Sequence, residues 1–202
     1  MTLRDRFGNI DIYLFDQLLK DRFTPNMTVL DAGCGGGRNL VYLMRSGYQV
    51  FGVDRSAEAV EQVRQQAAAL ASDLPAGNFR ECEVEQMPFR DGEFDVVISS
   101  AVLHFATDES HFDRMVREIW RVLKPGGLMF CRLASSIGIE DRIVHLDGRR
   151  YRLPDGTDRF LVDQSMLLAL TEELGGELAD PIKTTNVQDQ RCMTTWVVRK
   201  SS

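Results

Sequence analysis

Apolar runs with the length of β-strands alternate with segments of helical period along most of this chain. The runs are bounded by turn-forming residues, and the segments between them carry apolar side chains three and four positions apart. Such alternation is typical of βα units, which build a parallel sheet with helices on its faces. The predicted strands are 28–32, 48–53, 79–83, 94–99 and 128–133, and the predicted helices are 10–23, 36–46, 56–72, 109–123 and 164–174.

Two further strand-like runs, 182–187 and 193–199, lie close enough together to pair as an antiparallel hairpin. We therefore predict a doubly wound α/β fold, with a seven-stranded, mostly parallel sheet and an antiparallel C-terminal hairpin. Residues 1–202 are expected to form a single domain, in which 10–23 is an N-terminal helix and 134–160 a variable connection on the substrate side. Ligands of such sheets bind beyond the carboxyl ends of the strands, so the loops there are the informative ones.

The charge balance is acidic, with a formal net charge of -6 at pH 7. Nucleic-acid-binding proteins usually present a basic face to phosphates, so we expect a small-molecule partner and no nucleic acid. The first eight residues already carry charges of both signs, and no apolar run approaches the length of a membrane span. The cysteines show neither a CxxC pair nor a histidine at ligand spacing, so no metal site and no disulfide framework are expected. These features predict a cytoplasmic protein, monomeric or homodimeric.

A glycine-rich turn, Asp31-Ala32-Gly33-Cys34-Gly35-Gly36-Gly37-Arg38, follows the first predicted strand. Glycines there let a ligand approach the backbone and its N–H groups. The dinucleotide fingerprint G-x-G-x-x-G fails because Arg38 occupies the third glycine position, and no Gly-Lys-Ser/Thr follows to make a P-loop. Asp31 favours a cationic ligand over a pyrophosphate, and Asp54 at the end of the second strand can accept both hydroxyls of a ribose. Either aspartate alone is also compatible with a capping or solvated role, but the pair beside the turn favours a ligand site.

Five segments together resemble the class I S-adenosylmethionine-dependent methyltransferases. They are 29–38 (VLDAGCGGGR), 50–56 (VFGVDRS), 87–97 (MPFRDGEFDVV), 99–105 (SSAVLHF) and 122–128 (VLKPGGL). The segment 35–43 (GGGRNLVYL) is also similar to a run in tellurite-resistance-type and related small-molecule methyltransferases. The resemblance covers 29–133, and it implies a Rossmann-like methyltransferase fold with S-adenosyl-L-methionine as cofactor and S-adenosyl-L-homocysteine as product.

Carried onto this sequence, the resemblance implies a set of cofactor-binding residues. Those in and before the glycine turn would line the methionine part, and Asp54 would hold the ribose. Glu83 stands where the family usually has an aspartate facing the adenine amino group, which leaves the geometry of that contact open. The serines at the end of the fourth strand would lie below the sulfonium. The full set is Asp31, Gly33, Cys34, Gly35, Asp54, Arg55, Glu83, Val84, Ser99 and Ser100.

Methyl transfer from a sulfonium mainly requires alignment of the acceptor and exclusion of water. A general base is needed only where the acceptor must lose a proton, and many members of such families have none. His104 is the candidate base, because the pKa of an imidazole suits that work. The alternative is that His104 simply packs at the start of the following helix. His111, on the helix 109–123, is expected at the surface.

The connection 135–160 carries five arginines and Tyr151. It could form a lid over the acceptor, with arginines gripping a carboxylate or phosphate. The alternative is a solvated loop or a β-hairpin around 146–151, which contains an Asp-Gly turn. Tyr151, together with Tyr13 on the N-terminal helix, is a candidate substrate contact, and ordinary packing against the sheet is the alternative for Tyr13.

The sequence thus predicts an enzyme that transfers a methyl group from S-adenosylmethionine to a small-molecule acceptor. Whether the acceptor atom is oxygen, nitrogen, sulfur or carbon stays open. Residues 99–102 (SSAV) replace the N/D-P-P-Y/F motif of enzymes that methylate amino groups of adenine or glutamine, which disfavours that chemistry. The alternative function is a regulatory module that binds S-adenosylmethionine without transferring its methyl group. An NAD-dependent enzyme is disfavoured by Arg38.

Overall fold

The secondary structure follows the predicted alternation, in a computed structural model that describes residues 2–202. The helices are α1 (Leu3–Phe7), α2 (Ile12–Leu19), α3 (Val41–Arg45), α4 (Ala57–Leu70), α5 (Glu109–Val122) and α6 (Gln164–Glu173). The strands are β1 (Thr28–Ala32), β2 (Gln49–Asp54), β3 (Phe79–Glu81), β4 (Phe94–Ser100), β5 (Leu123–Ser135), β6 (Val144–Asp147), β7 (Arg150–Arg152), β8 (Asp158–Phe160), β9 (Gly176–Leu178), β10 (Lys183–Val187) and β11 (Arg191–Lys200).

The main sheet has the strand order β10-β11-β5-β4-β1-β2-β3. Strands β1 to β5 pair in parallel, whereas β11 is antiparallel to both β5 and β10. The predicted seven-stranded, mostly parallel sheet with an antiparallel hairpin is therefore confirmed, and β9 adds a short further strand beside β11. The order reverses between β1 and β4, which is where a sheet of this kind opens a crevice for ligands.

Helices cover both faces of this sheet. Val29 and Leu30, which are consecutive in β1, belong to different apolar clusters because successive strand residues point to opposite faces. One cluster packs the apolar stripe of α5 and part of α6 against the sheet. The other packs α2, α3 and α4. No helix within residues 2–202 combines the length and apolar character needed to cross a membrane.

Element boundaries differ from the prediction mainly beside glycines. The predicted helix 36–46 is wrong over its first half, because Gly35 and Gly37 take positive φ values of 51° and 80° and keep the chain in turns until Val41. The predicted helix 10–23 is shorter, as α2, and α1 precedes it. The strand predicted at 128–133 begins earlier, since Leu123 already pairs with Phe94 before an irregularity in the register. Ser56 caps the N-terminus of α4, since its Oγ accepts a hydrogen bond from the N–H of Ala59 at 3.3 Å.

The connection between β5 and α6 folds into a second, three-stranded antiparallel sheet, β6-β7-β8. The predicted hairpin is present: Asp147 pairs with Arg150, which leaves Gly148 and Arg149 as the turn. A small apolar cluster beneath this sheet joins it to the end of β5. Ser135 forms an isolated parallel bridge with Val162, so the inserted segment leaves and rejoins the body at neighbouring points.

Candidate active site

The glycine turn after β1 is tied to the end of β2. The N–H groups of Gly33 and Cys34 both donate to the carbonyl oxygen of Val53 at 2.8 Å. A Cβ on Gly33 would lie 2.3 Å from Cγ2 of Val102, so only glycine fits there. A Cβ on Gly35 would have no neighbour within 4 Å. The turn therefore leaves open space beside its backbone at Gly35, where a ligand can approach.

Asp54 ends β2 with its carboxylate held by two backbone donors. Its Oδ2 accepts from the N–H of Gly35 at 2.8 Å, and its Oδ1 accepts from the N–H of Ser56 at 3.0 Å. Each carboxylate oxygen can accept more than one hydrogen bond. The side chain is thus fixed in position while it keeps acceptor capacity for a ligand.

A cavity of about 320 Å³ opens beyond the carboxyl ends of β1, β2 and β4. Six of the predicted cofactor residues line it: Gly33, Gly35, Asp54, Arg55, Glu83 and Val84. They come from three separate loops, which the parallel sheet brings to one edge. We call this space the first cavity.

The other predicted cofactor residues lie behind the wall of the first cavity. Asp31 is 1% exposed, and no residue within 2–202 donates a hydrogen bond to either oxygen of its carboxylate. Burial raises the pKa of Asp31 to about 7, although the charge of Arg38 and the nearby amide of Asn39 act in the opposite direction. Ser99 Oγ is also buried without a described partner, whereas Ser100 Oγ accepts from Arg38 at 3.1 Å. Cys34 is buried in the core, and burial raises the pKa of its thiol.

Seven further residues complete the first cavity, and the sequence did not single them out as cofactor ligands. They are Cys82, Glu85, Ala101, Val102, Phe105, His111 and Met115. His111, which was expected at the surface, is half-buried and lines this cavity, with Nε2 3.2 Å from Oε1 of Glu85. The available signal was that α5 begins directly after the loop that follows β4, which places its first turn at the same edge of the sheet.

A second cavity, of about 310 Å³, adjoins the first and shares Ala101 with it. Ala101 has a φ of 65°, in the left-handed region that residues with a side chain rarely adopt. The residues that line the second cavity are Ala101, His104, Arg132, Ala134, Leu153, Asp155, Thr157, Arg159, Val187, Arg191 and Met193. Backbone strain of this kind is concentrated at functional sites, so the junction of the two cavities is a functional candidate.

His104 lies in the wall of the second cavity and is 6% exposed. Its Nδ1 accepts a hydrogen bond from the N–H of Ala134 at 3.2 Å. Burial, helped by the charge of Arg159, lowers the pKa of His104 to about 4. Since a neutral ring whose Nδ1 accepts must carry its proton on Nε2, this geometry favours the packing alternative over general-base catalysis.

The two tyrosines predicted to contact substrate line neither cavity. The hydroxyl of Tyr13 lies 2.6 Å from Thr185 Oγ1, and its ring packs under the guanidinium of Arg132. Tyr151 packs against His145, with ring centroids 5.3 Å apart. Their contacts are structural, and a role in substrate binding stays a prediction.

The site thus has a glycine turn and two carboxylates at one edge of a doubly wound sheet. A comparison with known protein families agrees with this geometry, and its match covers half of the chain. Residues 30–131 match the family model described as a methyltransferase domain. The chain belongs to this methyltransferase family. An uncharacterised methyltransferase of Synechocystis sp. is similar, with 36% identity over 105 residues, which is 52% of this chain and 46% of the relative. The chain spans a little under half the length of such curated relatives.

Solved structures resemble this methyltransferase domain over nearly its whole length. A protein of Methanosarcina mazei described as an S-adenosylmethionine-dependent methyltransferase has a TM-score of 0.74 at 21% identity, over 91% of this chain and 97% of that one. The 1,6-didemethyltoxoflavin-N1-methyltransferase of Burkholderia thailandensis, solved with 1,6-didemethyltoxoflavin and S-adenosylhomocysteine, has a TM-score of 0.70 at 19% identity, over 95% and 76%. At these identities the likeness shows the fold, which is the Rossmann-like methyltransferase fold.

Proposed function

We propose that this chain transfers a methyl group from S-adenosylmethionine to a small-molecule acceptor. Membership of the methyltransferase family supports methyl transfer. The observation that carries the choice of cofactor is the pair of carboxylates, Asp31 and Asp54, at the ends of the two central strands. Their surroundings fit the two ends of S-adenosylmethionine.

Asp31 suits the cationic end of that cofactor. A buried carboxylate without a hydrogen-bond donor is costly, and its cost falls when a cation or an N–H group comes within reach. S-adenosylmethionine carries an ammonium and a sulfonium, whereas a pyrophosphate would bring further negative charge. The buried carboxyl group of Asp31, directly behind the wall of the first cavity, therefore favours the former.

Asp54 suits the ribose. Its two oxygens are fixed by the amides of Gly35 and Ser56 and lie in the wall of the first cavity. Because this carboxylate is already fixed, it can accept hydrogen bonds from adjacent hydroxyls without a further loss of side-chain entropy. Glu83 and the backbone N–H of Val84, in the same wall, supply polar groups for the adenine.

When bound, S-adenosylmethionine supplies a methyl group on a positively charged sulfur, which is already activated for transfer. The chain's own work is then to orient the acceptor and keep out water. Val102, Phe105 and Met115 give the first cavity an apolar wall. Ala101, shared with the second cavity, is where the two bound molecules would meet.

The proposal is tested by isothermal titration with S-adenosylmethionine and, separately, with NADH. We expect binding of the first and none of the second. Release of S-adenosylhomocysteine during incubation with a metabolite panel then separates an enzyme from a module that only binds. Tight NADH binding without sulfonium binding would overturn the assignment of the cofactor.

Replacement of Asp54 by alanine is expected to weaken S-adenosylmethionine binding by about 1–3 kcal/mol, because hydrogen bonds to a charged group are lost. The affinity is measured by titration at a temperature where both proteins are folded. Asp73→Ala, which removes an exposed carboxylate after α4, serves as the matched control and should bind as the parent does. Equal affinity in the Asp54 variant would refute its role.

A further inference from the structure

The second cavity is basic although the chain as a whole is acidic. Its lining includes three guanidinium groups and a single carboxylate: Arg132, Arg159, Arg191 and Asp155. The chain carries a net charge of -6, so a concentration of positive charge in one concave place is not an average property of its surface. Concave walls also strengthen the field that a ligand meets.

Two of the three arginines are compensated by acidic partners. Arg132 Nη1 donates to Oδ2 of the buried Asp11 at 2.7 Å. Arg191 Nη1 lies 3.6 Å from Oδ2 of Asp155, whose other oxygen accepts from Thr157. The pair of Arg191 and Asp155 is close to neutral as a unit. Asp11 is shared, since its Oδ2 also lies 3.8 Å from Nη2 of Arg38, and the buried Nε of Arg132 has no acceptor within residues 2–202.

Of the three arginines in this lining, Arg159 is the one that forms no ion pair with a carboxylate of residues 2–202. Its Nη1 donates to the backbone carbonyl of Asp158 at 2.7 Å, and no described carboxylate forms an ion pair with it. Its guanidinium lies over the ring of Phe105, 4.8 Å from the centroid. Because Phe105 lines the first cavity and Arg159 the second, the free charge lies beside the place where the cavities meet.

His104 adds a neutral donor to the same wall. With Nδ1 occupied by the amide of Ala134, the ring proton resides on Nε2, for which the structure records no partner within residues 2–202. A donor next to a guanidinium suits an anionic oxygen acceptor.

We propose that the second cavity is the acceptor subsite of this methyltransferase and takes a small molecule that carries a single carboxylate, held by Arg159. The assignment rests on the proposed function. One uncompensated positive charge matches a monoanion, and the planar fork of a guanidinium matches the two oxygens of a carboxylate.

The test is titration of the protein saturated with S-adenosylhomocysteine. The probes are butyrate, benzoate and phenylacetate, each compared with its uncharged amide, and phenyl phosphate as the dianionic arm. We expect at least one carboxylate to bind about tenfold or more tightly than its amide, the gain typical of a hydrogen-bonded charge. In Arg159→Gln that preference should disappear while the affinity for S-adenosylhomocysteine stays unchanged.

Arg142→Gln is the matched control, since it removes an exposed arginine of the same connection that pairs with Asp189 outside both cavities. It should bind the carboxylates as the parent does, and Arg159→Lys should bind them more weakly than the parent but better than Arg159→Gln. Equal binding of carboxylates and amides, no loss in Arg159→Gln, or tighter binding of phenyl phosphate than of benzoate would each overturn the proposal. Failure of S-adenosylhomocysteine itself to bind would instead refute the proposed function, and the subsite with it.

Discussion

At the scale of single residues, Asp31 is the least ordinary group of the molecule. Its carboxylate lies in the body of the sheet, and no residue within 2–202 donates to it. Burial favours the protonated form, which is why its pKa rises to about 7. A carboxyl group whose pKa in the folded chain lies near 7 makes the free energy of unfolding depend on pH.

The direction of this pH dependence follows from the difference between the pKa of Asp31 in the folded chain and its pKa in the unfolded chain. In the folded chain Asp31 holds its proton up to about pH 7, whereas in the unfolded chain it loses that proton near pH 3.8, the ordinary pKa of an aspartate. The folded state therefore binds more protons between these values, and the free energy of unfolding should fall as the pH rises from about 4 to about 7. Above about pH 7 Asp31 is ionised in both states, so its contribution to the free energy of unfolding no longer changes with pH.

Asp31→Asn, which cannot ionise, should lack this dependence. Between pH 5 and 7 the free energy of unfolding of the parent should fall by about 2 kcal/mol relative to the variant, since each unit costs about 1.4 kcal/mol. Urea denaturation without cofactor measures the difference, and Asp73→Asn at an exposed site should follow the parent. Parallel pH profiles of parent and Asp31→Asn would contradict the raised pKa.

At the scale of elements, local signals in the sequence predicted what they directly control. Strand β1 begins and ends where predicted, and α5 differs by one residue at its end. The helix predicted over 36–46 failed because apolar periodicity continues through glycines whose positive φ only the folded turn reveals. Residues 124–127 lie inside β5 as an irregularity, because β4 pairs with Leu123 before them and with Leu128 after them, contacts that are distant in sequence.

The candidate site likewise contains some residues that the sequence could place and others that it could not. Asp54, Gly35 and Glu83 follow strands directly, so strand order and the carboxyl-edge rule suffice to place them at one edge. Phe105 and His111 reach the cavity through the packing of α5 and the turn before it, so the sequence indicates the edge of the sheet at which they lie but not that their side chains face the cavity. The charge excess of the second cavity depends on which arginines find acidic partners, and those pairs join residues as far apart as Asp11 and Arg132.

The turn of the second sheet gives an element-level prediction. Gly148 has a φ of 50°, and an alanine there would adopt the left-handed conformation at a cost of about 1–2 kcal/mol. Gly148→Ala should therefore lower the free energy of unfolding by about that amount in urea. Gly77→Ala is the control, because its φ is not positive and its Cβ would meet nothing within 4 Å. Similar stability of the two variants would contradict the strain assigned to the turn.

At the scale of the whole molecule, β11 joins the parallel sheet to the C-terminal helix. Trp196 on β11 is fully buried, and its Nε1 donates to Oγ1 of Thr171 in α6 at 2.9 Å. Its indole lies in the same apolar cluster as α5. A large aromatic side chain in that position stabilises two helices and the sheet at once.

Trp196→Ala should accordingly lower the free energy of unfolding by about 3–5 kcal/mol, the range for truncation of a buried aromatic residue. Circular dichroism in urea measures it without relying on tryptophan emission. Leu146→Ala, on a side chain that is 40% exposed, should change stability by less than about 1 kcal/mol. A loss at Trp196 as small as that at Leu146 would show that β11 is not a structural junction.

The bridge between Ser135 and Val162 has a consequence for how such a chain can diversify. Because the segment between them starts and finishes at adjacent points, residues can be added or deleted there without displacing the main sheet, at only a small entropic cost of loop closure. The glycine turn and the two carboxylates lie wholly outside that segment. Under the proposed function, selectivity for the acceptor can therefore change during evolution while the residues proposed to bind the cofactor are kept.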